Sequence, residues 1–286
     1  MAFYNPFVRH ESHSRTTLIT YQILSLLSWA LVVVTGVYYS LRKPHDVKHG
    51  HTIWEQADKH KTPFSQSTIV TGIYWILLLL SQISYLWHFF SKNTVLVTAA
   101  ANVASHFILN NLFVFAFILL WVRGHFWPAE VILIFHLLSQ STAYWTHLGS
   151  PPFVHLPAIA GPYAWALTAL FWNGAVAVHA HNLPSRIVAN VFIWVIFVIG
   201  HFHIFVAKDY IFGYSLSFLT LSLALEQFYI KIIALQWIFA FVIFAVSFVG
   251  SLHVSTVVYS NRDLFFKRVV APEATDRERE PLLNNQ

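Results

Sequence analysis

The side chains best suited to chemistry in this sequence are histidines in or at the ends of long apolar segments. The chain has 286 residues and 17 histidines. Ten of them, from His88 to His253 and leaving out His125 in a loop, accompany these segments, whereas Lys, Arg, Asp and Glu are almost absent there. Because imidazole gains and loses a proton near neutral pH, we expect the chemistry of this protein to be histidine chemistry beside or within a membrane.

The depth of each histidine within its segment separates two groups. Those at segment ends can anchor at lipid headgroups as Trp and Tyr do; this group is His88, His147, His179 and His181. Those further in are costly in lipid and should face the bundle interior or an aqueous cavity. His136 lies in the middle of its segment. The predicted proton-handling residues are His106, His136, His201 and His203.

Composition and segment length predict the fold class. Only 10% of the residues are charged and 57% are hydrophobic, whereas globular proteins carry roughly 25% charged residues. Crossing a bilayer takes about 20 apolar residues in a helix, because lipid leaves no partner for free backbone groups. The segments that qualify are 17–40, 68–90, 94–121, 127–147, 153–180, 187–207, 209–229 and 232–258. The sequence therefore predicts an all-α, polytopic membrane bundle of about eight transmembrane helices.

Several classes of site are excluded or disfavoured. The chain has no cysteine, which removes disulfides, thiolate metal sites and c-type haem. Its net charge of +5 is spread over loops and tails, so no basic face for nucleic acid is expected. The 42–67 loop holds four histidines, His45, His49, His51 and His60, but their spacing fits no common zinc pattern. We predict no cofactor and no metal, and a pH-sensing role for this loop stays open.

Besides Asp209, which begins its segment, two acidic residues lie inside the apolar segments. Glu130 follows Pro128 in the first helical turn, where the helix dipole stabilises a carboxylate. Glu226 is the only acidic residue away from a segment end, and it precedes Lys231 by five residues. We expect Glu226 to contact Lys231.

The tails indicate an orientation that the loops do not. Lys and Arg are nearly balanced between the two sides, so the positive-inside rule does not decide the orientation. Glu278, followed by the pair Leu282 and Leu283, resembles the dileucine signal that clathrin adaptors bind in cytosolic tails. The run Asn5-Pro6-Phe7 resembles a tripeptide bound by endocytic domains. Residues 1–15 are thus expected to form a cytosolic tail, 16–259 the transmembrane domain with a luminal loop at 42–67, and 260–286 a disordered cytosolic tail.

The fifth segment is the least regular. It begins at His155 and carries Pro157, Gly161 and Pro162, and proline removes a backbone hydrogen bond and kinks a helix. The freed carbonyls must find partners inside the bundle. Beyond the kink, Trp165, Ala169 and Asn173 are four residues apart and share one helix face. The predicted ligand-binding residues are Asn111, His155, Trp165 and Asn173.

A family resemblance supports this choice. The run Thr62-Pro63-Phe64, the pair Asn110-Asn111, the spacing Trp165-x3-Ala169-x3-Asn173 and the run Lys208-Asp209-Tyr210 loosely resemble eight-span relatives of tryptophan-rich sensory, translocator-type proteins over about residues 60–230. The whole chain is also similar to a fungal family of uncharacterised multi-span membrane proteins. The first resemblance implies a helical bundle with an aromatic-lined pocket, and smaller members bind porphyrins and sterols. The chain departs from it at Val70, Thr71, Val114 and Ile118, where such proteins carry Trp.

The resulting functional prediction is a multi-pass, non-enzymatic protein of the vacuolar or endosomal membrane. It would bind or move a small amphipathic or apolar molecule in an intramembrane cavity, with the lipid bilayer and adaptor-type sorting machinery as partners. Three alternatives stay open. They are a proton-linked transporter, a histidine-dependent lipid enzyme that uses His155 with hydroxyls such as Ser141 or Thr142, and a membrane scaffold or trafficking protein.

Overall fold

The structure, a computed structural model, describes residues 5–48, 50–180 and 182–260. Those residues form helices and connecting loops, with no strand. The helices are α1 (Arg15–Leu41), α2 (Ile53–Lys59), α3 (Thr68–His88), α4 (Thr94–Val122), α5 (Phe126–Thr146), α6 (Pro152–His155), α7 (Gly161–Ala177), α8 (Leu183–His201), α9 (Tyr210–Ile230) and α10 (Gln236–Ser260). A π-helical turn, Leu156–Ala160, joins α6 to α7, and another, Phe202–Val206, extends α8.

Seven helical stretches of the described chain are long and apolar enough to cross a membrane, which indicates an integral multi-pass membrane protein. They are α1, α3, α4, α6 with α7, α8 with its π turn, α9 and α10. Helix α5 is the eighth predicted span, and it runs antiparallel beside α4. Phe126 at its start contacts Trp121 at the end of α4, and His147 just after its end contacts His106 in the first half of α4. It therefore lies beside at least the stretch of α4 from His106 to Trp121.

Helix boundaries follow from capping side chains at the predicted breaks. Asn93 accepts a hydrogen bond from the N–H of Val95 to begin α4, and Asn182 accepts one from Ser185 to begin α8. Asp209 accepts from the N–H groups of Ile211 and Phe212 to begin α9. Each cap satisfies backbone donors that the first helical turn leaves free.

Contacts between helix ends place both ends of the described chain on one side of the bundle, which we call the terminal side. Asn102, near the start of α4, donates to the carbonyl of His10, and Tyr214 of α9 contacts Ser255 of α10. The 42–67 loop lies on the opposite side, which we call the loop side. There Trp121 at the end of α4 donates to the carbonyl of Ile53. This placement fits an even number of crossings.

The loop-side segment is more ordered than the sequence predicts. Helix α2 forms within it because Thr52 and Glu55 make a reciprocal capping box, with hydrogen bonds of 3.1 and 3.2 Å. Glu226 does not contact Lys231 as expected: its carboxylate pairs with Lys61, which also binds Asp58. The reason is geometric, since Lys231 ends α9 in a left-handed conformation and its ammonium lies over the ring of Phe228.

Helix α7 is the centre of the bundle and is buried along nearly its whole length. The distortion predicted from its prolines takes the form of the π turn at Leu156–Ala160. Two carbonyls near this turn are satisfied from α3: Tyr74 donates to Gly161 at 2.7 Å and Gln82 donates to Pro157 at 3.2 Å. A Cβ at Gly161 would approach Leu78 to 2.6 Å, so glycine lets α3 and α7 pack closely.

Candidate functional site: a tryptophan-lined cavity

A cavity of about 320 Å³ lies between α1, α2, α3, α4 and α7. Its volume falls at the lower end of the roughly 300–1,000 Å³ typical of ligand pockets. Aromatic side chains from four of these helices dominate its wall, namely Trp54, Trp75, Phe117, Trp121, Trp165 and Trp172. The remaining lining is almost entirely aliphatic, so the cavity is suited to an apolar molecule.

Four of the tryptophans, all but Trp54, form one packed cluster with Phe117. Trp165 of α7 lies at its centre, with its ring centroid 4.9 Å from Trp75 and 5.4 Å from Phe117. Trp121 and Trp172 contact each other at 4.8 Å. Edge-on and tilted contacts of this kind stabilise aromatic pairs beyond their buried area. The wall is therefore held in shape by its own side chains.

Two glycines leave the space that the aromatic rings surround. A Cβ at Gly36 of α1 would meet no atom within 4 Å, and a Cβ at Gly72 of α3 would meet the ring of Trp54 at 3.5 Å. Val37 and Ile76, which also line the cavity, are 56% and 60% exposed on the outer surface. The cavity therefore reaches the bundle surface between α1 and α3, where a membrane-dissolved molecule would approach.

The wall contains one fully buried side-chain donor without a hydrogen-bond partner among the described residues, the Nε1–H of Trp172. Thr71, in contrast, bonds Gln66 and Ser222, and Trp121 uses its Nε1–H on the carbonyl of Ile53.

Of the predicted ligand-binding residues, only Trp165 lines this cavity. Asn173 donates instead to the carboxylate of Glu130 at 2.8 Å and to the carbonyl of Phe126 at 3.0 Å. Asn111 donates to the hydroxyl of Ser28 at 3.2 Å. His155 ends α6, before the π turn that leads into α7. The predicted stripe Trp165–Ala169–Asn173 is thus divided between the cavity and a helix contact.

Sequence reasoning missed the other four tryptophans, although a signal for two was present. Thr71 and Ile118, noted as departures from the translocator-type pattern, both line the cavity. Trp75 and Trp121 follow them by four and three residues, so each lies one turn along the same helix face. In this chain, Trp75 and Trp121 thus lie one helical turn after the positions at which translocator-type proteins carry Trp.

His155 belongs to a separate buried cluster on the terminal side. Its Nε2 lies 2.7 Å from a carboxylate oxygen of Asp209, and both residues are almost fully buried. Burial raises the pKa of Asp209, but the attraction and hydrogen bond of His155 and the N–H of Phe212 outweigh it, so this pKa lies below its ordinary value. The pair ties α6 to the start of α9.

The predicted proton-handling histidines do not form one group. His106 and His136 lie between α4 and α5. His201 donates through Nδ1 to the carbonyl of Phe197, and its ring packs between Phe197 and Phe205. His203 packs among Tyr144, Tyr163 and Phe212. The described residues contain no cluster of His, Asp or Glu that would hold a metal ion.

Several predicted features lie outside the described residues. They are the sorting residues Glu278, Leu282 and Leu283, together with His49 and His181.

Comparisons with known proteins agree with the coarse expectations. Residues 186–283, about a third of the chain, match the model of a family described as a fungal protein of unknown function (DUF1774). This match is consistent with the predicted resemblance to a fungal family of uncharacterised membrane proteins. The similarity to translocator-type proteins stays a prediction. No curated protein and no solved structure matches the chain.

Proposed function

We propose that this protein binds a small apolar or weakly amphipathic molecule in the tryptophan-lined cavity and exchanges it with the membrane. The observation that supports this most directly is the cavity itself, a space of about 320 Å³ walled by five tryptophans. Apolar pockets with a few placed polar groups are the common form of small-molecule sites. The buried indole N–H of Trp172, which has no hydrogen-bond partner among the described residues, would orient one acceptor group of the ligand.

The shape of the wall narrows the ligand class. A wall of indole rings and aliphatic side chains around about 320 Å³ suits a planar aromatic or a short branched hydrocarbon better than a full lipid with a charged headgroup. Smaller translocator-type proteins bind porphyrins and sterols, but a cavity at the lower end of the pocket range favours a smaller molecule. A non-enzymatic role is part of this proposal.

The test replaces a glycine that lines the cavity by a residue whose side chain would fill it. Gly36→Leu places a side chain where a Cβ meets nothing within 4 Å, whereas Val34→Leu changes a residue of the same helix that is 66% exposed. Naphthalene serves as a planar apolar probe, with thermal unfolding of the detergent-purified protein as the readout. A hundredfold excess over the dissociation constant should stabilise the wild type and Val34→Leu by about 2.7 kcal/mol.

In Gly36→Leu this stabilisation should be lost. Native mass spectrometry of the same three proteins should show a retained small molecule in the wild type and in Val34→Leu only. Equal stabilisation of all three proteins by naphthalene would place its binding elsewhere and contradict the proposal.

We propose in addition that the protein resides in the vacuolar or endosomal membrane with both termini cytosolic. Support comes from the sequence alone: the acidic dileucine pattern of Glu278, Leu282 and Leu283 would engage clathrin-adaptor-type machinery. In fluorescence microscopy, Leu282→Ala with Leu283→Ala should move the protein to the cell surface. Asn284→Ala with Asn285→Ala is the matched control and should leave the location of the protein unchanged. An unchanged location of the dileucine variant would contradict the use of this signal.

A further inference from the structure

A line of buried polar side chains runs between α4 and α5 from the terminal side into the middle of the bundle. Helix α4 contributes two of them and α5 with its C-terminal cap contributes three, at spacings that keep each set on one helix face. All are at most 3% exposed. We call this set the polar ladder; it consists of His147, His106, Gln140, Asn110 and His136.

The outer end of the ladder meets a polar cavity. His147 lines a space of about 760 Å³ on the terminal side together with Arg9, Asn102 and Ser150. The ring of His147 lies 5.4 Å from that of His106. Since the cavity opens among residues of the N-terminal segment and the loop after α5, water reaches the outer end of the ladder.

The inner end lies deep in the membrane. His136 precedes His147 by eleven residues, which at 1.5 Å per residue is about 16 Å along the helix. A hydrocarbon core is roughly 30 Å thick, so His136 lies near its middle. Its ring centroid is 5.8 Å from that of Trp165, the residue at the centre of the tryptophan cluster.

A hydrogen-bond chain fixes the proton position on His136. Ser28 donates its hydroxyl to the carbonyl of Ser25, so its oxygen accepts from Nδ2 of Asn111. Oδ1 of Asn111 then accepts from Nδ2 of Asn110 at 3.2 Å. The remaining oxygen of Asn110 must accept, so the Nε2–H of His136 donates to it at 2.6 Å. The chain ends on a backbone carbonyl, which can only accept.

This assignment leaves Nδ1 of His136 as a base. Nδ1 is buried and has no hydrogen-bond partner among the described residues, and the same holds for both amide atoms of Gln140 and for Nε2 of His147. Buried polar groups in proteins are almost always hydrogen-bonded to protein or to internal water. Their arrangement along one interface therefore suits a file of water molecules leading from the terminal side to Nδ1 of His136.

We propose that the polar ladder is a proton-access path that delivers protons from the terminal side to Nδ1 of His136. The proton binds at Nδ1, the imidazole becomes a cation, and the Nε2–H bond to Asn110 is kept. The proton leaves by the same route, because the chain beyond Asn110 ends at the Ser25 carbonyl. The path is therefore a dead end that loads and unloads one site and carries no current across the membrane.

Few other ionisable side chains near His136 could take up the proton in its place. Asn110 and Phe113 face it from α4 and Trp165 faces it from α7. The only ionisable side chain of α4 is His106 and that of α7 is Tyr163, while α5 itself also carries Glu130 and Tyr144. A proton on His136 would place a positive charge behind Trp165, on the wall of the tryptophan-lined cavity. Control of ligand occupancy by this charge rests on the cavity proposal, but the proton path does not.

The test measures proton exchange at His136 directly and needs no ligand. Nuclear magnetic resonance of ring-labelled histidine in nanodiscs reports the tautomer and the exchange rate, and the His136 signal is assigned by its loss in His136→Gln. The wild type should show the Nε2–H tautomer. Gln140→Leu should block the water file and slow exchange at His136 by about tenfold or more, whereas Gln140→Ala should leave room for water and keep exchange at least as fast.

Gln82→Leu is the matched control, because Gln82 is equally buried in a membrane helix but bonds the carbonyl of Pro157 away from the ladder. It should leave exchange at His136 unchanged. Equal exchange in the Leu and Ala variants at position 140, or an Nδ1–H tautomer in the wild type, would overturn the proposal. A sustained proton current in proteoliposomes would overturn its dead-end form.

Discussion

The tryptophan-lined cavity and the polar ladder lie side by side in the same bundle, and Trp165 borders both. The cavity wall consists almost entirely of rings and aliphatic groups, so its shape and apolar contacts largely define that site. Side chains of the ladder carry donors and acceptors that lipid cannot satisfy, so hydrogen bonding defines it. One helix, α7, thus lies between the proposed site for an apolar molecule and the proposed site for a proton.

The largest expected effect comes from removing the shared wall. Trp165→Ala deletes an almost fully buried indole, and such losses cost about 3–5 kcal/mol of unfolding free energy. Naphthalene binding should weaken as well, since Trp75 and Phe117 lose their common neighbour. Chemical or thermal unfolding in detergent measures the first and probe titration the second. Trp87→Ala, at a residue that is 74% exposed, should change neither.

The next largest effect is a loss of unfolding free energy when a side chain of the polar ladder loses its hydrogen-bond partner. Asn110→Leu leaves the Nε2–H of His136 and the oxygen of Asn111 unpaired, which should cost about 3 kcal/mol at 1–3 kcal/mol for each group. Adding His136→Phe removes one unpaired group and should restore part of the loss. A double-mutant cycle of unfolding free energies measures this. Strict additivity of the two changes would contradict the chain.

A smaller effect follows from pH at the outer end of the ladder. Burial, with repulsion from His106 and Arg9, lowers the pKa of His147 to about 4. Because this pKa lies below the unfolded value near 6.5, the stability contribution is complete above pH 6.5 and is lost as pH falls towards 4. Between pH 7 and pH 5 the loss should be about 2 kcal/mol. The unfolding free energy of His147→Gln should lack this component of the pH dependence, and an unchanged profile would contradict the burial of this ring.

The smallest effect concerns helix α2 at the loop-side end of the cavity. Thr52→Ala breaks the capping box and should loosen α2 by about 1 kcal/mol. Since Ile53 and Trp54 line the cavity, naphthalene should leave about fivefold faster in stopped-flow fluorescence. Lys48→Ala, in the exposed part of the same loop, should leave the rate unchanged. A rate that stays constant in both variants would mean that α2 does not gate the cavity.

The sequence predicted the spans closely because each segment must by itself be apolar and long enough to cross the lipid. Span boundaries such as those at Asn93, Asn182 and Asp209 were readable, since breaks in hydropathy coincide with capping side chains. The irregular start of the fifth span was readable from Pro157 and Pro162. The second π turn at Phe202–Val206 was not, because no proline or glycine marks it.

The candidate site was only partly readable. Trp165 was identified from its helix face, but periodicity along α7 cannot show that Trp172 turns to the cavity while Asn173 turns to Glu130. Likewise, His155 was noted for its position beside a broken helix, whereas its partner Asp209 lies 54 residues away. Such pairings depend on how helices rotate and stack, and the local sequence carries no signal for them.

By itself, the sequence determined that this protein is a bundle of long apolar helices with polar side chains confined to a few faces. That outcome follows from the free energy of placing each backbone and side-chain group in lipid, which is a local property. Only the tertiary structure decided that indoles from four helices meet around one space, and that His136 donates through Nε2 and keeps Nδ1 free. Those features require residues distant in sequence to come within contact distance, so they exist only once the helices have packed.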